Sequence, residues 1–243
     1  MPEFPRPIRL PGQPPLPREP YGDAGGTRAP DVVDEDADLF GAEDAAARLA
    51  ERLEAVEPDA VRRTADGRAL LSPGFDSGRD RIDGPAFAPA ALVVFAAHAT
   101  PWSRPLGALL ARVREDQPAT AVVAWRHYPD PVAHPRAGML ALAAEAAAAR
   151  GRFWALTREL LDLRNHDPAD LRIAMLRAGL DPGPTVEAMR AGIGIERIAG
   201  DVASALASGV TSSPALFVGG ERWDGELDAA AVTAALQAVA ERA

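Results

Sequence analysis

Two polar turns stand where this chain has side chains fit for chemistry. Thr100-Pro101-Trp102-Ser103 follows an apolar run at residues 91–97 and precedes a helical pattern. Ser212-Ser213-Pro214 precedes a second apolar run at residues 215–218. Hydroxyls at the start of a helix can cap it or donate to a ligand. They ionise far too weakly to replace a thiolate. His98, two residues before the first turn, is a further candidate donor to a ligand there. His127 and His134 are separated by a proline-rich turn and joined by no carboxylate-histidine pattern, so no metal site is expected. No Gly-x-Ser-x-Gly elbow, P-loop or dinucleotide fingerprint occurs.

Composition narrows the chemistry further. None of the 243 residues is cysteine, so no disulfide, thiolate nucleophile, thiolate metal site or iron-sulfur cluster can be built from this chain alone. All 26 basic residues are arginine, which excludes Schiff-base chemistry on lysine. A net charge of -9, most of it contributed before residue 81, argues against nucleic acid as a partner. The N-terminal residues lack the pattern of a signal peptide, and the most apolar helical stretch, residues 137–149, is short and carries Glu145. A cytoplasmic protein with no membrane partner is expected.

The elements that position the two turns can be read in order. Residues 1–30 are rich in Pro and Gly and read as a disordered lead, with a segment at 11–17 that reads as a linker or, less simply, a polyproline ligand. The run Asp34 to Asp38 resembles the start of a calcium loop but has Leu39 where glycine is needed and Ala45 where a bidentate glutamate is needed. It serves instead as an acidic lead to a helix reaching about residue 57. Asp66-Gly67 predicts a hairpin, and residues 31–78 together read as an appendage. A Gly/Pro-rich connector spans 72–89. Beyond it come a strand, a helix through Leu106, Leu109, Leu110 and Val113, and a strand at 120–125, which is a parallel βαβ pattern. Helices fill 134–208, two of them opened by Asp167-Pro168 and Asp181-Pro182. A strand, a Gly219-Gly220 turn, a short strand and a final helix at 228–242 close the chain. The outline is βαβ, an all-helical insertion, then ββα.

That outline resembles the DsbA-like thioredoxin fold, and several motifs agree with it. Thr100-Pro101-Trp102-Ser103 fills the frame of the family's Cys-Pro-aromatic-Cys turn. Arg126-His127-Tyr128-Pro129 with His134-Pro135, the Gly151, Phe153 and Trp154 positions, and the Ser213-Pro214 loop match its other elements. With Arg79-Asp80 and Gly84-Pro85 as lead-in, residues 79–242 are similar to the DsbA-like domains appended to NhaA-type sodium/proton antiporters. The resemblance implies an α/β thioredoxin fold with a helical insert at about 134–208, preceded by an N-terminal extension.

The departures weigh on function. Both cysteine positions carry hydroxyls, and Val94 stands where family members commonly have a buried acid. The expectation is a module inactive in thiol-disulfide exchange, without a resident cofactor, kept for structure or for binding a protein or peptide. Its groove would be formed by Trp102, His98, Ser213 and Pro214, with Pro214 in the place of the family's cis-proline. The other reading is an enzyme like the kappa glutathione transferases, with a Thr100 or Ser103 hydroxyl facing the glutathione thiolate. Pro105 cannot sit past the first turn of a helix without losing a hydrogen bond, so Ser103 is expected to be the N-cap.

Overall fold

The computed structural model describes residues 37–57 and 59–243. The lead at 1–30 and the acidic residues 34–36 lie outside the described residues. Among the described residues, five strands form one sheet: β1 (Arg81–Asp83), β2 (Ala90–Ala96), β3 (Ala121–His127), β4 (Ala215–Val218) and β5 (Glu221–Arg222), in the order β1-β3-β2-β4-β5. β2 and β3 are parallel, with Val94 opposite Trp125, and the other pairs are antiparallel. β2 and β3 are apolar throughout their central stretches because both sheet faces are covered. Leu92, Val94 and Ala96 point into the larger core, while Val93 and Phe95 enter a smaller one with Phe217, Val210 and Leu71.

Among the described residues eight helices surround the sheet: α1 (Ala37–Glu54), α2 (Ser103–Asp116), α3 (Ala137–Ala148), α4 (Phe153–Asp162), α5 (Pro168–Arg177), α6 (Pro182–Arg190), α7 (Ile195–Ala207) and α8 (Ala229–Ala240). Helices α3 to α7 are the insertion between β3 and β4, and α2 links the parallel pair. Asp167 and Asp181 cap α5 and α6 through their carboxylates, each followed by proline in the first turn. Gly194, at φ 99, opens α7 directly against α3, and a Cβ there would overlap the side chain of Glu145.

Three sequence expectations change. The connector at 72–89 contains β1, a three-residue edge strand whose existence depends on its pairing with β3. The Asp66-Gly67 turn forms, but its arms make only a single bridge, Arg63 to Ala69, and the chain then bonds to the β5 region through Leu70 and Glu221. Helix α1, read as part of an appendage, places Ala42, Ala45 and Leu49 in the larger core. These small and apolar residues pack against α3, α6 and α7, so the helix shares the fold's main burial.

Candidate functional site

β2 ends in a tight turn that aims the first polar motif at the start of α2. Ala99 takes a left-handed conformation, φ 63, which is strained for a residue with a Cβ. The chain then closes with a Ser103 N–H to Thr100 C=O bond of 3.1 Å and enters the helix, where Leu106 N–H reaches Trp102 C=O at 2.9 Å. Pro105 falls in the first turn, where no partner for an N–H is required.

Ser103 does not cap. It is already helical, and Trp102 before it has φ -89 and ψ -7, where an N-cap needs extended backbone. The Ser103 hydroxyl instead faces backwards, accepting from Thr100 N–H at 3.0 Å. Thr100 Oγ1 accepts from Trp102 N–H at 3.2 Å, a local turn contact just before the helix, and α2 has no side-chain cap. The two hydroxyl oxygens are 3.3 Å apart. Ser103 is 2% exposed, so its proton must find a protein acceptor, and Thr100 Oγ1 is the one beside it. This direction leaves the Thr100 proton free at a partly exposed position. Trp102, next to it, is half exposed.

The second motif is pinned to the first. Ser213 Oγ accepts from Ala97 N–H at 3.1 Å, which fixes the loop against the end of β2. The Ser213–Pro214 peptide is cis. Among the described residues, neither the N–H nor the C=O of Ser213 has a backbone partner. Thr100, Trp102, Ser213 and Pro214 thus gather at the same end of the sheet. His98 does not join them. It is fully buried, stacked on Trp125 at 4.9 Å, with neither ring nitrogen hydrogen-bonded among the described residues. The chain reverses at Ala99, so the imidazole turns inward, and the expectation of a ligand contact there is corrected. Burial, and after it the neighbouring His127 and His166, push its pKa well below the ordinary 6.5, so it is neutral.

No family model matches the chain. Among solved structures, BdbD from Bacillus subtilis superposes with a TM-score of 0.61 at 14% identity, covering 71% of this chain and 98% of that one. A thioredoxin-like oxidoreductase from Silicibacter pomeroyi superposes with a TM-score of 0.61 at 20% identity, covering 68% and 94%. The chain has the DsbA-like thioredoxin fold. In sequence it is similar to the sodium/proton antiporter NhaA 1 of Mycolicibacterium gilvum, 34% identical over 175 residues. That alignment takes in 71% of this chain and only 28% of the antiporter's length. Among the described residues no helix is long and apolar enough to cross a membrane.

Behind the DsbA-like turn lies a buried polar network that sequence reasoning did not anticipate. Trp125 Nε1 donates to His127 Nδ1 at 3.3 Å, so His127 Nε2 carries the proton toward Glu145 Oε1 at 3.1 Å. Arg81 on β1 meets the same carboxylate from the other side at 3.1 Å. Burial raises the Glu145 pKa, but the bonds from His127 and Arg81 outweigh it and hold the group at about 2. On β3, Arg126 is wholly buried and pairs with Asp80 through two bonds of 2.8 and 2.9 Å. It also donates to Pro73 C=O, Gly74 C=O and Ser204 Oγ. The Arg126-His127 pair therefore ties β1, β3, the 72–80 segment and α7 together. It does not reach the exposed turn. One signal was available: Glu145 is the only charged residue inside an otherwise apolar helix, and a buried carboxylate needs partners. At the position of the family's buried acid, Val94 is fully buried among apolar side chains.

Proposed function

We propose that this chain is a peptide- or protein-binding module built on a DsbA-like thioredoxin fold, without thiol-disulfide exchange of its own. The observation that carries the reading is the Ser213 main chain. Its N–H and C=O lack backbone partners among the described residues, its loop is locked to β2, and Trp102 is half exposed nearby. An extended segment can pair with such a free main-chain edge, with the indole as an apolar wall. Exchange of disulfides needs an attacking thiolate and a resolving thiol, and the chain has neither. The role concerns this unit alone, since it spans 28% of the antiporter relative. A cytoplasmic setting belongs to the same proposal and is checked by fractionating the host cell.

Two measurements test it. Insulin reduction by dithiol should run no faster with the protein than with buffer. Selection of displayed peptides on the protein should enrich sequences whose binding drops at least tenfold with Trp102→Ala. Catalysed reduction, or enriched peptides indifferent to that change, would overturn the reading. The free Thr100 proton supports a second one, in which its hydroxyl donates to the thiolate of glutathione. A glutathione titration followed by tryptophan fluorescence decides it. Quenching in the micromolar to millimolar range that Thr100→Val abolishes favours glutathione; a flat response removes it.

A further inference from the structure

A cleft with a volume of about 710 Å³ opens between α2 and α4 beside β1, and it shares no residue with the Thr100 and Ser213 site. One face of α2 makes its floor through Gly107, Ala108 and Ala111, which fall at helical spacing and carry almost no side chain. Gly107 lets the two helices approach closely, since a Cβ there would lie 3.3 Å from Leu161 Cβ. Trp154 and Leu161 form the facing wall. The size falls within the ~300–1,000 Å³ typical of small-molecule sites, and the lining has their usual makeup, apolar with a few charges.

The charges favour an anion. Arg104, Arg114 and Arg158 stand against Asp83 and Asp162, an excess of one guanidinium. Two of the pairs, Arg158 with Asp83 at 2.6 Å and Arg104 with Asp162 at 3.1 Å, have arginine side chains that are more than half exposed. Exposed pairs of this kind contribute little, so a ligand's anionic group can take over a guanidinium at small cost. The Arg158 guanidinium also lies 5.9 Å from the centre of the Trp154 ring, which brings a cation to the edge of the apolar wall. Both ends of the α2 face carry arginine, Arg104 and Arg114, about 15 Å apart along the helix.

We infer that this cleft binds a small amphiphilic monoanion, with an apolar ring or short-chain body on Ala108, Ala111 and Trp154 and one carboxylate or sulfonate on Arg158 or Arg104. A polyanion such as a nucleotide would meet Asp83 and Asp162 with too few arginines to neutralise it.

The full chain should be titrated with anilinonaphthalene sulfonate, an apolar dye with one negative charge, and with neutral phenylnaphthylamine. Saturable one-to-one binding of the sulfonate is expected, with energy transfer from tryptophan and displacement by octanoate. Arg158→Gln should weaken it at least fivefold, and Ala108→Leu with Ala111→Leu, which fills the floor with good helix formers, should abolish it. Trp102→Ala should leave it unchanged, and circular dichroism melts confirm that each variant is folded. Absent binding in the unaltered chain, or binding that survives filling of the floor, would overturn the site. Equal affinity for the neutral dye together with indifference to Arg158→Gln would overturn the anionic class. Should the double variant fail to fold, Arg158→Gln against the two dyes still decides the matter.

Discussion

Putting a single thiol at each hydroxyl position tests the geometry of the turn directly. In Thr100→Cys the sulfur would replace an oxygen that already accepts Trp102 N–H at 3.2 Å, at the positive end of α2. A hydrogen bond to a charged acceptor contributes about 1.5–3 kcal/mol, and the helix terminus adds roughly 0.3–1 kcal/mol. Since about 1.4 kcal/mol is a factor of ten, the ionisation constant should rise about 10- to 100-fold above that of a free cysteine, allowing for partial exposure. Ser103→Cys should move the other way. That position is 2% exposed, and burial there penalises the thiolate. Thiolate absorbance against pH, and the pH dependence of alkylation, read both constants. A thiol at position 100 no more acidic than free cysteine would refute the reasoning, because the Trp102 amide would then not be aimed at that atom. So would a thiol at 103 that ionises more readily than the one at 100. With both substitutions the side-chain atoms begin 3.3 Å apart as oxygens, close enough for the pair to oxidise to a disulfide, which mass spectrometry detects.

Three further outcomes follow from the buried network and the strained turn. Asp80→Ala leaves the Arg126 guanidinium buried without a counter-charge and should cost about 3–5 kcal/mol in urea unfolding, with Arg126→Met added to it recovering part of the loss; a loss below about 1 kcal/mol would contradict the pairing. The depressed His98 pKa means stability is present above its ordinary 6.5 and lost as pH falls below it, by up to about 1.4 kcal/mol per pH unit, and Glu145 adds a second loss between its ordinary 4.5 and about 2. Asp201, its pKa raised chiefly by burial, opposes this at the acid end, so the test is the first limb: His98→Phe should flatten the fall of Tm just below pH 6.5, and an unchanged profile would count against the assignment. Ala99→Gly relieves a left-handed alanine and should stabilise by about 0.5–1 kcal/mol after the cost in unfolded-chain entropy, read from the urea midpoint.

How far the fold could be read depended on how local each signal was. Asp167-Pro168 and Asp181-Pro182 announced their helices because a cap and a fixed φ act within one turn. β2 and β3 were legible as unbroken apolar runs, the mark of strands covered on both faces. β1 was not, since Arg81, Ile82 and Asp83 are strand only through their pairing with Trp125, Ala124 and Val123 some forty residues on. Ser103 shows the opposite failure. Its type suits a cap, but the tight turn at Thr100 draws it into the helix, and tertiary geometry overrides propensity.

The same distinction bears on function. Many of the residues that carry the likeness to DsbA-like proteins, Asp80, Arg126 and His127 among them, are buried and bonded within the fold, Arg126 to Asp80 and His127 to Asp201 on α7. Their chemistry is used in holding β1, β3 and α7 together, so finding them in the chain argues for architecture and carries no weight for catalysis. At the DsbA-like turn, what the molecule can do to another molecule rests on a few accessible atoms, the Thr100 hydroxyl, the Ser213 main chain and the Trp102 ring. None of these can pass electrons. Binding is the role proposed for those atoms, and the bond from Ala97 N–H to Ser213 Oγ fixes the loop against the end of β2.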